Sequence, residues 1–205
     1  MKFSFHYQAH AEALYYALTE DAFYITMEAS VDNKRSPREA MIKYMDYSMQ
    51  EAAAYGELIL PTGHTYGASL WSRPIDEKKE AERDRLKEAF LFRQMGEKSL
   101  ETYRNIVDSM SLLSGQVVDK SFWYLSILGL HPSCQGKGRG GSLLVDVLQK
   151  ADRHGADTYL ETFTPRNISF YERFSFQTVA DFHEPNTNAR YWVMVRKKNT
   201  HHFRD

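Results

Sequence analysis

The stretch FWYLSILGLHPSCQGKGRGGSLLVDVL, residues 122–148, restricts the possible folds of this chain more than any other. Residues 122–130 form an unbroken run of aromatic, branched and small side chains, the pattern of a buried strand. His131-Pro132 ends that strand, because proline has no amide hydrogen to give to a ladder. Gln135-Gly136-Lys137-Gly138-Arg139-Gly140-Gly141 then opens a segment in which Leu143, Leu144, Val147, Leu148 and Ala151 share one helical face. A strand, a glycine-rich turn and a helix in that order make a cradle for an anion. Glycines let several backbone N–H groups converge on one point, and the helix start adds its unpaired amides and positive dipole end. Lys137 and Arg139 stand beside them. The stretch predicts a phosphate or pyrophosphate held mostly by main chain.

Three known loops compete for this pattern. A Walker loop needs Gly-Lys-Ser/Thr after its spacer, and residues 136–140 do not supply it. Gly136, Gly138 and Gly141 match the dinucleotide pattern Gly-x-Gly-x-x-Gly, with Asp157 at the position of its acidic partner. The third pattern, Gln-x-x-Gly-x-Gly, fits better, at Gln135, Gly138 and Gly140. It resembles the pyrophosphate loop of the GNAT acetyltransferase superfamily, which binds acetyl-coenzyme A. A second motif strengthens the resemblance: LETFTPRNISFYERFSF, residues 160–176, is similar to the second half of the GNAT core. Its wording, with the ending Arg190-Tyr191-Trp192-Val193-Met194, resembles the puromycin N-acetyltransferase branch. The likeness covers about residues 122–198. It departs at Ser175, where the family usually has a glycine that stops the helix.

The resemblance implies an α+β fold: a mixed, mostly antiparallel twisted sheet with helices on both faces. It also implies acetyl-CoA as cosubstrate, no metal, and a single domain over residues 1–205. In that domain residues 1–121 would form an acceptor-side half and residues 122–198 the acetyl-CoA half. It assigns Gln135, Gly136, Lys137, Gly138, Arg139, Gly140, Gly141 and Ser142 to the pyrophosphate. Leu128, Gly129 and Leu130 would meet pantetheine and the acetyl carbonyl, with Asn167, Phe170 and Tyr171 along the same arm. Glycine inside a strand is itself a sign of a bulge, a bend or a close ligand.

Acetyl transfer to an amine needs protons moved at both ends. Tyr171 is the candidate general acid, since a phenol is protonated at neutral pH and can meet a departing thiolate. A core tyrosine on an aromatic helix is the alternative. Asn167 lies four residues earlier on the same face, and helix capping is its other possible role. Glu161, at the end of the preceding strand, is the candidate base, acting through a water. The alternative there is a structural carboxylate paired with Arg166 or Arg173. His131 and Glu28 are weaker candidates, and Cys134 has no base beside it in sequence. An acyl-CoA-binding module without turnover, or a protein N-acetyltransferase, would use much of the same framework.

A net charge of −1 gives no reason to expect nucleic acid or a membrane as partner. The one cysteine excludes an intrachain disulfide and fits a cytoplasmic enzyme. Aromatic side chains make up 14% of the chain, which suggests an aromatic interior or pocket lining; Tyr24, Trp71 and Tyr124 could line a pocket or equally belong to the core.

The remaining elements read from periodicity and breakers. Residues 3–7 suggest a short strand and 9–18 a helix, while 22–27 stay ambiguous. Ser36-Pro37-Arg38-Glu39 starts a helix that ends at Gly56. Residues 58–60 and 65–71 read as a hairpin. A charged helix over 76–95 and another over 100–113, capped by Ser99, exceed a minimal GNAT core. This insertion, residues 76–113, would shape the acceptor side, cover a homodimer face, or simply pack. Residues 175–182 and 191–196 read as the closing strands, and a polar tail carrying His201-His202 is too terminal for a metal site.

Overall fold

The computed structural model describes residues 3–199, so the His201-His202 pair lies outside the described residues. One six-stranded sheet runs through the molecule in the order β1-β2-β3-β4-β6-β5. Its strands are β1 (Gly56–Ile59), β2 (Gly67–Ser72), β3 (Trp123–Leu130), β4 (Thr158–Thr162), β5 (Gln177–Glu184) and β6 (Ala189–Arg196). All neighbours pair antiparallel except β3 and β4. This is the mostly antiparallel α+β sheet that the motifs imply, and it removes the dinucleotide alternative, which needs a parallel sheet. Asp157 is used instead by Lys197 Nζ, at 2.9 Å, and by the Lys198 amide.

The seven helices are α1 (Gln8–Ala17), α2 (Ala22–Ala29), α3 (Pro37–Tyr55), α4 (Glu77–Gln94), α5 (Glu97–Ser114), α6 (Val145–Arg153) and α7 (Ile168–Glu172). Two apolar cores lie between them and the sheet. The larger joins Leu14, Met27, Met41, Met45, Met49, Leu91 and Ile106, from α1–α5, to Leu70, Ile127 and Val193 of the sheet. The smaller joins Leu144, Val147 and Leu148 to Trp71, Trp123, Leu160, Tyr171 and Phe176. Strand alternation explains the division. On β3, Trp123 and Leu125 face the smaller core, whereas Ile127, beyond the irregularity near Leu70/Trp71, faces the larger one.

Local chemistry places most element ends. The Ser36 hydroxyl accepts from the Glu39 amide and the Asp76 carboxylate from the Lys79 amide, so α3 and α4 start on ordinary caps. Residues 3–7 are not a strand. The buried Asp46 carboxylate on α3 takes the His6 amide at 3.1 Å and the Tyr7 amide at 2.7 Å, so these donors serve a side chain rather than a ladder. Residues 22–27 resolve as part of α2. Ser99 does not cap α5: the helix already starts at Glu97, and the Ser99 hydroxyl lies buried within it, taking a hydrogen bond from Ser30 at 3.0 Å.

Candidate active site

The site begins where the two parallel strands separate. β3 and β4 pair only over Trp123↔Thr158, Tyr124↔Tyr159 and Leu125↔Leu160. Beyond these residues β3 stays on β2, out to Gly67↔Leu130, while β4 stays on β6. A wedge therefore opens between residues 126–130 and the end of β4, and one backbone edge of β3 faces it without a strand partner.

The glycine-rich turn lies at the mouth of this wedge. Gly136 and Gly138 both have φ of +71°, with nothing within 4 Å of the position a Cβ would occupy, so the loop stands open to solvent. No amide from Gly136 to Ser142 donates a well-formed hydrogen bond to an acceptor among the described residues. The side chains brace the loop: Gln135 Nε2 donates to Leu130 O at 2.8 Å, Lys137 Nζ to Ser133 O at 2.7 Å, and Ser142 Oγ to Arg139 O at 2.9 Å. The Arg139 guanidinium lies over the Tyr66 ring. Free amides, two positive-φ glycines and nearby cations suit a diphosphate. The helix behind the loop is interrupted, with a 3-10 turn at Gly141–Leu143 before α6 begins at Val145.

The loop packs directly against the helix that carries Tyr171. A Cβ on Gly140 would sit 3.0 Å from the Phe170 ring, and one on Gly141 would sit 3.0 Å from the Phe174 ring. Phe170 meets Tyr171 edge-on, with centroids 5.2 Å apart. α7 is short, preceded by a 3-10 turn at Pro165–Asn167. Asn167 stands at its N-cap position but its side chain makes no cap hydrogen bond. Ser175 adopts φ +66°, the left-handed conformation in which the family pattern has glycine, so the helix ends there despite the substitution.

Gly129 has a packing role. Its Cβ would lie 2.8 Å from Leu14 Cδ2 and 3.1 Å from Ala17 Cβ, so α1 crosses β3 at close range there. The strand irregularity lies instead opposite Leu70/Trp71, at Ser126, whose hydroxyl donates to Leu70 O at 3.1 Å.

Glu161 is paired with neither Arg166 nor Arg173. Arg166 pairs with Glu20 at 2.8 Å, and Arg173 lies over the Phe170 ring. The Glu161 carboxylate accepts from Ser114 Oγ at one oxygen and from Tyr124 Oη, at 3.0 Å, at the other. Burial pushes this carboxyl above its ordinary range, and the two hydrogen bonds only partly offset that. Ser114 ends α5, so the helical insertion reaches the Glu161 carboxylate; sequence spacing gives no sign of this contact. Burial likewise raises the Tyr171 phenol, with Asp21 adding to it, so the hydroxyl is protonated at neutral pH. The Tyr171 side chain lies buried in the smaller core, and its hydroxyl has no hydrogen-bond partner among the described residues. His131 caps a turn, its Nδ1 2.8 Å from Ser133 Oγ, and Glu28 takes the Tyr15 hydroxyl at 3.0 Å.

Asp21, which the sequence does not single out, adds its field to the Tyr171 phenol. It caps α2, accepting from the Phe23 amide at 3.0 Å, and burial pushes its carboxyl up to about 6. Its sequence signal, an acid just before a helical segment, is that of an ordinary N-cap. A hollow of about 400 Å³ lined by Arg73, Phe122, Trp123, Asp157 and Lys198 lies at the opposite end of β3 and β4, away from this chemistry.

The family model for acetyltransferases of the GNAT type matches residues 64–176, which include both the loop and α7. The chain belongs to the GNAT family. As a GNAT protein it is an acetyl-CoA-dependent acetyltransferase. An uncharacterized N-acetyltransferase of Schizosaccharomyces pombe is 25% identical over 179 residues, covering 82% of this chain and 70% of the relative. Among solved structures, a histone acetyltransferase HPA2 and related acetyltransferase of Corynebacterium glutamicum superposes with a TM-score of 0.63 at 17% identity, over 93% of this chain and 90% of that one. Arylalkylamine N-acetyltransferase 2 of Aedes aegypti gives 0.61 at 12% identity, over 94% of each chain. These two likenesses concern the fold. Among the described residues no helix is long and apolar enough to cross a membrane.

Proposed function

We propose that this GNAT protein transfers an acetyl group from acetyl-CoA to the primary amine of a small molecule, by direct attack in a ternary complex. The observation that carries the reading is the contact of Gly140 and Gly141 with Phe170 and Phe174. It sets the glycine-rich turn against the helix that carries Tyr171, which supports a cofactor anchored at the turn and running along the free edge of β3 toward the phenol.

In this reading the amides from Gln135 to Ser142 hold the pyrophosphate. Backbone at Leu128, Gly129 and Leu130 would hold the pantetheine arm and polarise the acetyl carbonyl, with Asn167 and Phe170 on the other wall. Glu161 takes a proton from the amine through a water; its burial favours holding that proton. As nitrogen bonds to the acetyl carbon and the carbon–sulfur bond breaks, Tyr171 gives its proton to sulfur, and the proton shed by nitrogen restores the phenol. The chain acts as one domain, with residues 1–121 serving the acceptor and 122–198 the cofactor. The insertion shapes the acceptor side through Ser114. Solved relatives of the same fold that act on arylalkylamines and polyamines favour a small amine, and the wording of residues 160–176 adds puromycin-like nucleosides to that group.

A coenzyme-release assay with acetyl-CoA against arylalkylamines, polyamines, puromycin-like nucleosides and peptides tests this. Tyr171→Phe lowers turnover by about 10²-fold or more, while acetyl-CoA affinity by calorimetry is retained. Unchanged turnover removes Tyr171 from the mechanism. Binding of acetyl-CoA without release on any amine would identify a non-catalytic module.

A further inference from the structure

The hollow at the far end of β3 and β4 plays no part in acetyl transfer, yet its lining is selective. Its volume of about 400 Å³ lies within the range of small-molecule sites. It opens where the two strands begin, at Trp123 and just before Thr158. β3 runs from there to Leu130 as an 8-residue strand, so the hollow is about 23 Å of strand away from the wedge and its glycine-rich turn. A small molecule bound in one place does not reach the other.

The lining combines rings with cations. Phe122 and Trp123 enter the sheet here, and the His154 ring lies 5.4 Å from that of Trp123 at an angle of 49°. Gly155, with φ of +65°, turns the chain between α6 and β4, and its carbonyl accepts from Lys198 Nζ at 2.9 Å. The acids nearby are already engaged. Both oxygens of Asp157 are taken, one by Lys197 Nζ and the other by the Lys198 amide, each at 2.9 Å. Glu57, which Arg73 approaches at 3.5 Å, is held more closely by Lys150 Nζ, at 2.7 Å. Asp119 accepts from the amide and hydroxyl of Ser121, and Asp152 holds Arg196 at two points. Arg73 therefore shares its carboxylate with a nearer cation. The Lys198 ammonium rests on a neutral carbonyl and makes no ion pair among the described residues. The chain as a whole carries a net charge of −1, so this excess of positive charge is local and not part of a generally basic surface.

We propose that this hollow is a second ligand site, separate from the acetyl-transfer wedge, for a small anion that carries an aromatic ring. The carboxylate or phosphate of the ligand meets Arg73 and Lys198, and its ring lies along Phe122 and His154. A neutral ring gains only the apolar wall, and an aromatic cation is repelled by both side chains.

The test measures binding to the full chain, with saturating coenzyme A present so that the glycine-rich turn is filled. Benzoate, phenyl phosphate, inorganic phosphate and the neutral benzamide are titrated by calorimetry and ligand-observed NMR. At least one of the two aromatic anions binds with a Kd of about 0.1–1 mM, as expected for so few atoms, and the tighter of the two identifies the head group. Benzamide and inorganic phosphate bind at least about 10-fold more weakly. Arg73→Gln and Lys198→Gln each raise the Kd about 3-fold, and together about 10-fold, because both contacts are exposed to water. Both side chains are exposed, so the variants keep the wild-type Tm. Equal affinity for benzamide or inorganic phosphate, an unchanged Kd in the double variant, or no binding of either aromatic anion at about 10 mM overturns the site. Turnover is not read, so failure of this site leaves the acetyl-transfer reading as it stands.

Discussion

Asp21 carries its charge at a loss to the fold, and the loss is measurable. The ordinary aspartate value is 3.8 and that of Asp21 in the folded protein is about 6. A carboxyl that binds its proton more tightly when folded favours the folded state at low pH, and that advantage fades as pH rises through about 6. The interval corresponds to at most about 3 kcal/mol, at 1.36 kcal/mol per tenfold change in proton affinity. Because the carboxylate keeps some contact with water, about 1–2 kcal/mol is the working figure. Asp21→Asn removes the charge and retains the cap. The variant is therefore more stable than the wild type at pH 7.5 by about 1–2 kcal/mol, or about 2–8 °C in Tm for a chain of this length. Near pH 4 the two proteins melt together. Circular dichroism melts of both proteins from pH 4 to 8 read the difference directly, and acid effects common to both cancel. A difference that stays constant with pH, or a variant that melts lower at pH 7.5, would refute the argument that Asp21 is desolvated without a cation.

Other substitutions follow from the same contacts. Ser114→Ala removes a hydrogen bond that holds the Glu161 carboxyl down, so that group rises further. The acid limb of the pH–kcat profile then moves to higher pH, with kcat several-fold lower at pH 6 and little changed at pH 8.5. Ser175→Gly relieves a non-glycine residue held at φ +66°, and urea unfolding gains about 0.5–1 kcal/mol. Lys87→Met strips the half-buried Glu51 of its paired cation; the buried Lys87 Nζ lies 3.4 Å from that carboxylate and 4.7 Å from the Tyr44 centroid. Stability falls by about 2–4 kcal/mol, and adding Glu51→Leu restores most of it in a double-mutant cycle.

The elements written in contiguous residues were legible in the sequence. Strand β3, the glycine turn and the amphipathic segment after it are local patterns, and local sterics produce them wherever the rest of the chain goes. The Ser36 and Asp76 starts, the Gly56 stop and the hairpin around residue 63 are of the same kind, since cap and turn chemistry acts within four residues. Residues 3–7 misread as a strand because a buried acid 39 residues on, Asp46, competes for their amides. Gly129 reads in sequence as a bulge, a bend or a close ligand, and only the tertiary structure shows that α1 crosses the strand there.

What the tertiary structure alone decided is how separated segments share one space. The wedge exists because β3 and β4 follow different partners past Leu125 and Leu160, a matter of sheet register rather than of either strand's composition. Glu161 is fastened by Ser114 and Tyr124, which come from α5 and β3, and the field of Asp21 reaches Tyr171 across 150 residues of chain. An acid at a helix start looks the same in sequence whether it faces solvent or a packed interior. Its surroundings differ only once burial has stripped its water and left it without a cation, and that depends on how α1 lies across the sheet.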